Sequence, residues 1–261
     1  MNLHLTDKIA VVCGSTQGIG KASAIELAKL GASVVLVARN EEKLKTAMLD
    51  LESSANQKHS YIVADFTKPS ELEVIISEWA SKNKVHILVN NTGGPKGGPI
   101  RNAATSEFLD AFNQHLICNH IMVQALYPIM KEEGYGRIIN VISTSVKQPL
   151  ANLGVSNTIR GAVASWSKTL ANELGQFNIT VNNVLPGATN TDRLQTLAQI
   201  KSDQINESVD SIFEEMASES PMNRIAQPEE IASAIAFLAS PAASYINGIN
   251  VPVDGGRTKS L

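Results

Sequence analysis

Alternation is the feature that most constrains this chain. Short runs of aliphatic and β-branched residues recur along it: KIAVVC from Lys8, SVVLVA from Ser33, YIVA from Tyr61, HILVN from His86, RIINVI from Arg137, TVNNVL from Thr180 and INVPV from Ile249. Runs this short and this continuous in apolar character read as strands buried on both faces. Segments with helical spacing lie between them. The first carries Ile19, Ala22, Ile25 and Leu27 and is closed by Gly31, a residue suited to the left-handed end of a helix. Strand, helix, strand repeated in this way predicts an α/β chain: a parallel sheet of about seven strands with helices on both faces. With 261 residues and 43% hydrophobic content the chain can bury one large core, and no linker, repeat or low-complexity tract divides it, so a single domain over 1–261 is expected. One stretch breaks the rhythm. From Asp192 to Arg224 a helical pattern has no strand after it, and it follows the C-terminal end of the sixth strand, where ligands bind in such sheets. It is expected to form a helical lid.

Charge and cysteine content narrow the function classes. A net charge of -3 with no block of like charges argues against a nucleic-acid partner. No apolar run approaches the roughly 18 residues that cross a bilayer, and MNLHLTDKIAVVCG lacks the layout of a signal peptide, so a cytoplasmic protein with no membrane partner is expected. Cys13 and Cys118 sit in apolar segments without metal-ligand spacing and read as core residues, and no metal is expected.

The first strand runs straight into CGSTQGIG, where Gly14, Gly18 and Gly20 open a helix. Glycines there let the backbone of Gly14, Ser15, Thr16, Gln17, Gly18, Ile19 and Gly20 approach a diphosphate, while the helix N-terminus supplies amide donors and a partial positive charge. In a strand-loop-helix context this pattern points to a dinucleotide. The second strand ends in Ala38 and then Arg39, with no acid to hold a ribose 2′-hydroxyl. A guanidinium at that place pairs with a 2′-phosphate, so NADP is expected over NAD, with NAD still possible. Asp65, with Phe66 beside it, follows the third strand and is placed to accept from an adenine amino group or to cap the turn before Thr67.

Four motifs, CGSTQGIG, NNTG from Asn90, PGATNT from Pro186 and the C-terminal QPEEIASAIAFLAS followed by NGINVPVDGG, together resemble the short-chain dehydrogenase/reductase family. The likeness is greatest to its 3-oxoacyl carrier-protein reductase and sugar or steroid dehydrogenase branches. The resemblance spans nearly the whole chain, and four motifs in the family's order are specific. It implies a doubly wound Rossmann fold, with Asn91 and Gly93 beside the adenine ribose and the turn of Pro186, Gly187 and Thr191 holding the nicotinamide carboxamide. It also implies a homotetramer built from the long helices after strands four and five and from the last strand. The helix from Leu153 to Leu174, apolar and rich in small residues on more than one face, allows that assembly.

Enzymes similar to this use an Asn, a Ser, a Tyr and a Lys. Ser143, ending the fifth strand, matches the serine. The tyrosine and lysine positions, 13 residues on and four beyond that, hold Ser156 and Arg160, and the asparagine position in the preceding helix holds His115. Tyr127 and Lys131 offer the right tetrapeptide spacing but lie before strand five, which rejects them. The changes bear directly on chemistry. A phenol starts near pKa 10 and an adjacent lysine lowers it, whereas an alkyl hydroxyl is closer to water's value of about 15.7. Ser156 reads as a helix cap or a weak substitute, and Arg160 as a fixed cation able to hold ribose hydroxyls or polarise a carbonyl. Other sources of a proton are His115, which titrates near neutrality when unperturbed, Lys96 in the TGGPKGGP loop, and bulk water. Two readings follow. One is an NADP(H)-preferring oxidoreductase on a ketone or secondary alcohol, with a small-molecule substrate and an atypical site. The other is a catalytically silent nucleotide-binding homologue that acts through assembly or partner binding.

Overall fold

The computed structural model describes residues 1–54 and 56–260. Each apolar run forms a strand: β1 Ile9–Cys13, β2 Ser33–Ala38, β3 Ser60–Val63, β4 Ile87–Asn90, β5 Gly136–Val141, β6 Ile179–Pro186 and β7 Asn250–Val253. All pair in parallel in the order β3-β2-β1-β4-β5-β6-β7. The helices α1 Gly18–Lys29, α2 Glu41–Met48, α3 Pro69–Ala80, α4 Thr105–Phe112, α5 Cys118–Glu132, α6 Gly154–Leu174 and α9 Pro228–Ala239 cover the two faces. Alternate side chains of one strand feed opposite layers. Ala10 and Val12 pack with Ala24 and Leu27 of α1 and Ile231 and Ile235 of α9, while Val11 and Cys13 pack with Met122 and Leu126 of α5. Both faces being covered is why these strands read as continuous apolar runs.

Strand order reverses between β1 and β4, so the loops leaving these two C-terminal ends diverge and open a crevice, the usual ligand position in such sheets. The glycine loop is pinned from beneath. Asn91 Nδ2 donates to the Cys13 and Gly14 carbonyls at 3.3 Å each, and a Cβ on Gly20 would stand 2.2 Å from the Gly14 oxygen. Gly31, at φ +98°, follows Leu30, the C-cap of α1, and donates its N–H to the Ala28 carbonyl, the helix-stop role expected of it.

Four asparagines cross the sheet near this same edge. Asn90 donates to Asn140 at 2.9 Å, Asn140 to Asn183 at 3.0 Å, and Asn183 to Asn250 at 2.8 Å, linking β4 through β7 side by side. Asn140 also donates to Ser167 Oγ of α6. This row ties the strand ends that carry the crevice loops to the helix that forms its wall.

The stretch after β6 folds as α7 Asp192–Ile205 and α8 Val209–Ser218, with no strand of its own. Thr191 caps α7 and Ser208 caps α8 through their hydroxyls. Between α4 and α5 the helix widens to a π-type segment over Asn113–Ile117, and this local change of pitch carries His115 into the interior. Among the described residues no helix is long and apolar enough to cross a membrane.

Candidate active site

The loops after β1, β4, β5 and β6, together with α7 and α8, enclose a cleft of about 910 Å³. At the β2 end, Thr16, Gln17, Gly18 and Ile19 form one wall. The N-terminus of α1 is open there: Gln17, at its cap position, makes no side-chain cap and the first turn holds no acid, so its amide groups face the cleft without a partner from the chain. By contrast α2, α7 and α8 are closed by their own cap side chains. That cradle, with no Cβ at Gly14, Gly18 or Gly20, fits a phosphate group. Arg39 and Lys43 line the same end, both exposed and neither in an ion pair among the described residues, although the Arg39 charge acts on Asp65. Lys43 escaped the sequence reading; its spacing of four from Arg39, in the first turn of α2, is the signal that could have found it. Asp65 and Phe66 also line this end. Asp65 Oδ1 accepts from the Thr67 N–H and hydroxyl, each at 2.9 Å, which holds its carboxyl below the usual range, so the turn-capping role is present alongside a free second oxygen.

Two residues of the glycine loop have structural work instead. The Ser15 hydroxyl is fully buried, turned away from the cleft, accepting from the Val37 N–H at 3.0 Å and so extending the contact between β1 and β2. Gly20 packs beneath Gly14. Neither residue lines the cleft, so what these two offer a ligand is the backbone and the shape of the loop.

Beyond β4 and β6 the cleft is lined by Asn91, Thr92, Gly93, Pro186, Gly187 and Thr191. A Cβ on Gly93 would meet nothing within 4 Å, and one on Gly187 would lie 2.8 Å from Asp254, so the first glycine leaves open space and the second allows a close backbone crossing.

Ser143, Ser156 and Arg160 share the far wall. Ser143 Oγ accepts from the Ser145 N–H at 3.1 Å, which fixes the oxygen and leaves its proton for the cleft. Ser156 is half-buried in the first turn of α6, one helical turn before Arg160, so both reach the same cleft. It is not the helix cap: that position belongs to Leu153, and the helix start is fixed by Gly154, whose Cβ would lie 2.4 Å from Ile100. The Arg160 guanidinium is 7% exposed and donates to the Val141 carbonyl at 3.1 Å. Burial and the nearby Arg193 charge pull it down to about 10, so it stays a cation at neutrality.

His115 is brought near this wall but does not line it. Its Nδ1 lies 2.6 Å from Thr92 Oγ1, its Nε2 is buried without a partner, and burial together with Arg160 and Arg193 pushes it down to about 2. Desolvation and two cations outweigh its intrinsic basicity and favour the neutral imidazole, which argues against this group as the acid at physiological pH. Lys96 is exposed and its side chain does not line the cleft, so it too is not placed as a donor. Tyr127 and Lys131 lie on α5 outside the cleft, Lys131 resting 4.2 Å over the Phe177 ring. Cys13 and Cys118 are buried free thiols pushed up by desolvation, Cys118 to about 12. Among the described residues no tyrosine faces the cleft.

One further group went unforeseen. Arg193, the second residue of α7, lines the cleft and donates through its Nη2 to the Pro95 carbonyl.

Comparison with known proteins agrees with this architecture. A family model described as Enoyl-(Acyl carrier protein) reductase matches residues 14–258. The 7alpha-hydroxysteroid dehydrogenase of Escherichia coli strain K12 is 32% identical over 262 residues, covering 100% of this chain and 98% of that protein. The NADPH-dependent reductase BacG of Bacillus subtilis is 30% identical over 259 residues, covering 98% and 100%. The crystal structure of L-sorbose reductase from Gluconobacter frateurii, complexed with NADPH and L-sorbose, superposes with a TM-score of 0.92 at 32% identity over 100% of both chains.

Proposed function

Because the chain belongs to the short-chain dehydrogenase/reductase family, we propose that it is an NADPH-using reductase of small organic carbonyl compounds that works without a phenolic acid. The observation that carries this reading is one continuous cleft. It joins an uncapped, acid-free helix terminus and two unpaired cations at one end to Ser143, Ser156 and Arg160 at the other. The first set fits the diphosphate and 2′-phosphate of NADP, with Arg39 and Lys43 on the latter. BacG is an NADPH-dependent reductase, and the L-sorbose reductase was crystallised with NADPH.

When bound, NADPH supplies hydride. The chain's own groups do the rest. Ser143 directs its proton at the carbonyl oxygen. Arg160, with one N–H on Val141 and the others available to the cleft, stabilises negative charge developing on that oxygen. Ser156 is too weak an acid to ionise, yet its hydroxyl can take a proton from water while giving one up, so the site draws its proton from solvent through a relay. A second reading is conjugate reduction, with hydride arriving at the β-carbon of an unsaturated carbonyl. It is favoured by the cleft presenting guanidinium and alkyl hydroxyl groups and no phenol. A delocalised enolate needs charge stabilisation more than immediate protonation, and the matched family's description names an enoyl reductase. Assembly into a homotetramer through α5, α6 and β7, and residence in the cytoplasm, fit the family pattern and the two free cysteines.

The test is paired. NADPH is titrated by fluorescence, and its oxidation is then followed with 3-oxoacyl thioesters, diketones, quinones, keto sugars and conjugated enones. The reductase reading expects NADPH binding and turnover on a member of one class. Tight binding without turnover on any, and none gained by Ser156→Tyr with Arg160→Lys, would favour the silent nucleotide-binding alternative.

A further inference from the structure

Charges around the cleft do not balance, and the imbalance sits at its two ends. Each acid that lines it has a partner: Asp65 is held by Thr67, Glu215 pairs with Lys201, and Glu219 pairs with Arg257. Four cations lining it form no ion pair among the described residues: Arg39, whose charge still acts on the nearby Asp65, Lys43, Arg160 and Arg193. The first two are exposed at the β2 end, and a solvated cation needs no explanation. The other two are different. Arg160 is more than nine-tenths buried and, among the described residues, donates only to a neutral carbonyl. Arg193 is half-buried, also meets only a neutral carbonyl, and occupies the first turn of α7, where the helix dipole opposes a positive charge. Both are held below the ordinary arginine range, each by burial and Arg160 also by Arg193. Buried charge of one sign, doubled and uncompensated, is a poor arrangement for stability and a good one for an anion.

We propose that Arg160 and Arg193 form a carboxylate subsite, so that the carbonyl substrate is an organic acid. This rests on the reductase reading and names its substrate class. Two guanidiniums offer paired N–H donors that match a carboxylate, in a site partly shielded from water where such bonds are strongest. Ile142, Leu194 and Leu197 line the same cleft and give the hydrocarbon of such an acid an apolar wall. Ser143 lines the same cleft, so an acid held by the guanidiniums shares a cavity with the carbonyl-binding hydroxyl. Arg193 also bridges α7 to the loop after β4 at Pro95, so an anion bound to it fastens the first lid helix to that loop. The same chemistry has a second source, the cofactor's diphosphate, for which the open α1 terminus already provides donors.

The test separates these sources. Protein saturated with NADP⁺ is titrated by calorimetry with 4-oxopentanoate and 4-oxocyclohexanecarboxylate, and with their methyl esters. An acid is expected to bind about tenfold or more tightly than its ester. Arg193→Gln is expected to reduce that ratio to about one, with Arg193→Lys recovering part of it and NADPH affinity changed by less than about threefold. Thermal melting of each variant checks folding. Equal affinity for acid and ester, or no binding of any acid, overturns the inference. So does an Arg193→Gln protein that loses NADPH binding and keeps its acid selectivity, since the anion is then the diphosphate. Failure of NADPH to bind the native protein would instead strike the reductase reading itself, and the acid-to-ester ratio can still be read without cofactor.

Discussion

His115 shows how far a residue's chemistry depends on what surrounds it. Its position in the helix before β5 was readable by counting, but the π-type turn that buries it, the Thr92 contact, and the desolvation and two arginine charges that lower its basicity were not. Held near 2 when folded and near 6.5 when unfolded, it binds its proton in the unfolded chain first. It therefore costs nothing above the unfolded value and destabilises increasingly as pH falls below it, by about 1.4 kcal/mol per pH unit. His115→Gln, which keeps a hydrogen-bonding side chain beside Thr92, is expected to lose about 2 kcal/mol less than native protein between pH 7 and pH 5 in urea unfolding. Equal losses would show that the imidazole is solvated. Arg39 gives the complementary case, a side chain whose proposed role toward the 2′-phosphate was suggested by the absence of an acid beside it in the sequence. Arg39→Ala is expected to cut the preference for NADPH over NADH by about tenfold to a hundredfold, and unchanged selectivity in paired titrations would remove the 2′-phosphate contact. Ser15 could not be read in the same way. Loop spacing says where the backbone passes, not that this hydroxyl turns to Val37.

At the level of elements, the asparagine row across β4, β5, β6 and β7 is the least expected feature. Asn140 and Asn183 are polar interruptions within apolar strands and Asn90 and Asn250 sit at strand ends, and only the register brings the four side by side. Asn140 is its hub, serving Asn90, Asn183 and Ser167. Asn140→Ala leaves buried polar groups unpaired and is expected to cost about 1–3 kcal/mol in chemical denaturation. A neutral effect would mean that the row adds shape and little energy. The helices α7 and α8 were legible as helices from their spacing, yet what they do to the cleft was not. Arg193 meets Pro95, which lies 98 residues earlier, and nothing local to PGATNTDR announces that meeting.

For the molecule as a whole, the strand set and its parallel layout were readable because burial on both faces leaves a simple trace, an apolar run ended by a loop. The cofactor half was readable for a related reason: its chemistry lies in backbone and glycine spacing, which sequence displays directly. The proposed catalytic half was legible only as departures from the family pattern, since Ser156 and Arg160 in those positions suggest what is missing and not what replaces it. Assembly belongs to this scale, and sedimentation of the purified protein is expected to give a four-chain mass, with a monomer contradicting the proposed role of α5, α6 and β7. The central claim is that reduction proceeds here without a phenolic acid. Its most direct measurement is the rate of NADPH oxidation by native protein with keto acids and conjugated enones, followed from about pH 6 to about pH 8, the range in which a histidine or activated tyrosine would titrate. The account predicts turnover whose rate shows no side-chain ionisation across that range. Tight NADPH binding with no turnover, or a rate governed by a group titrating near neutrality, would contradict it.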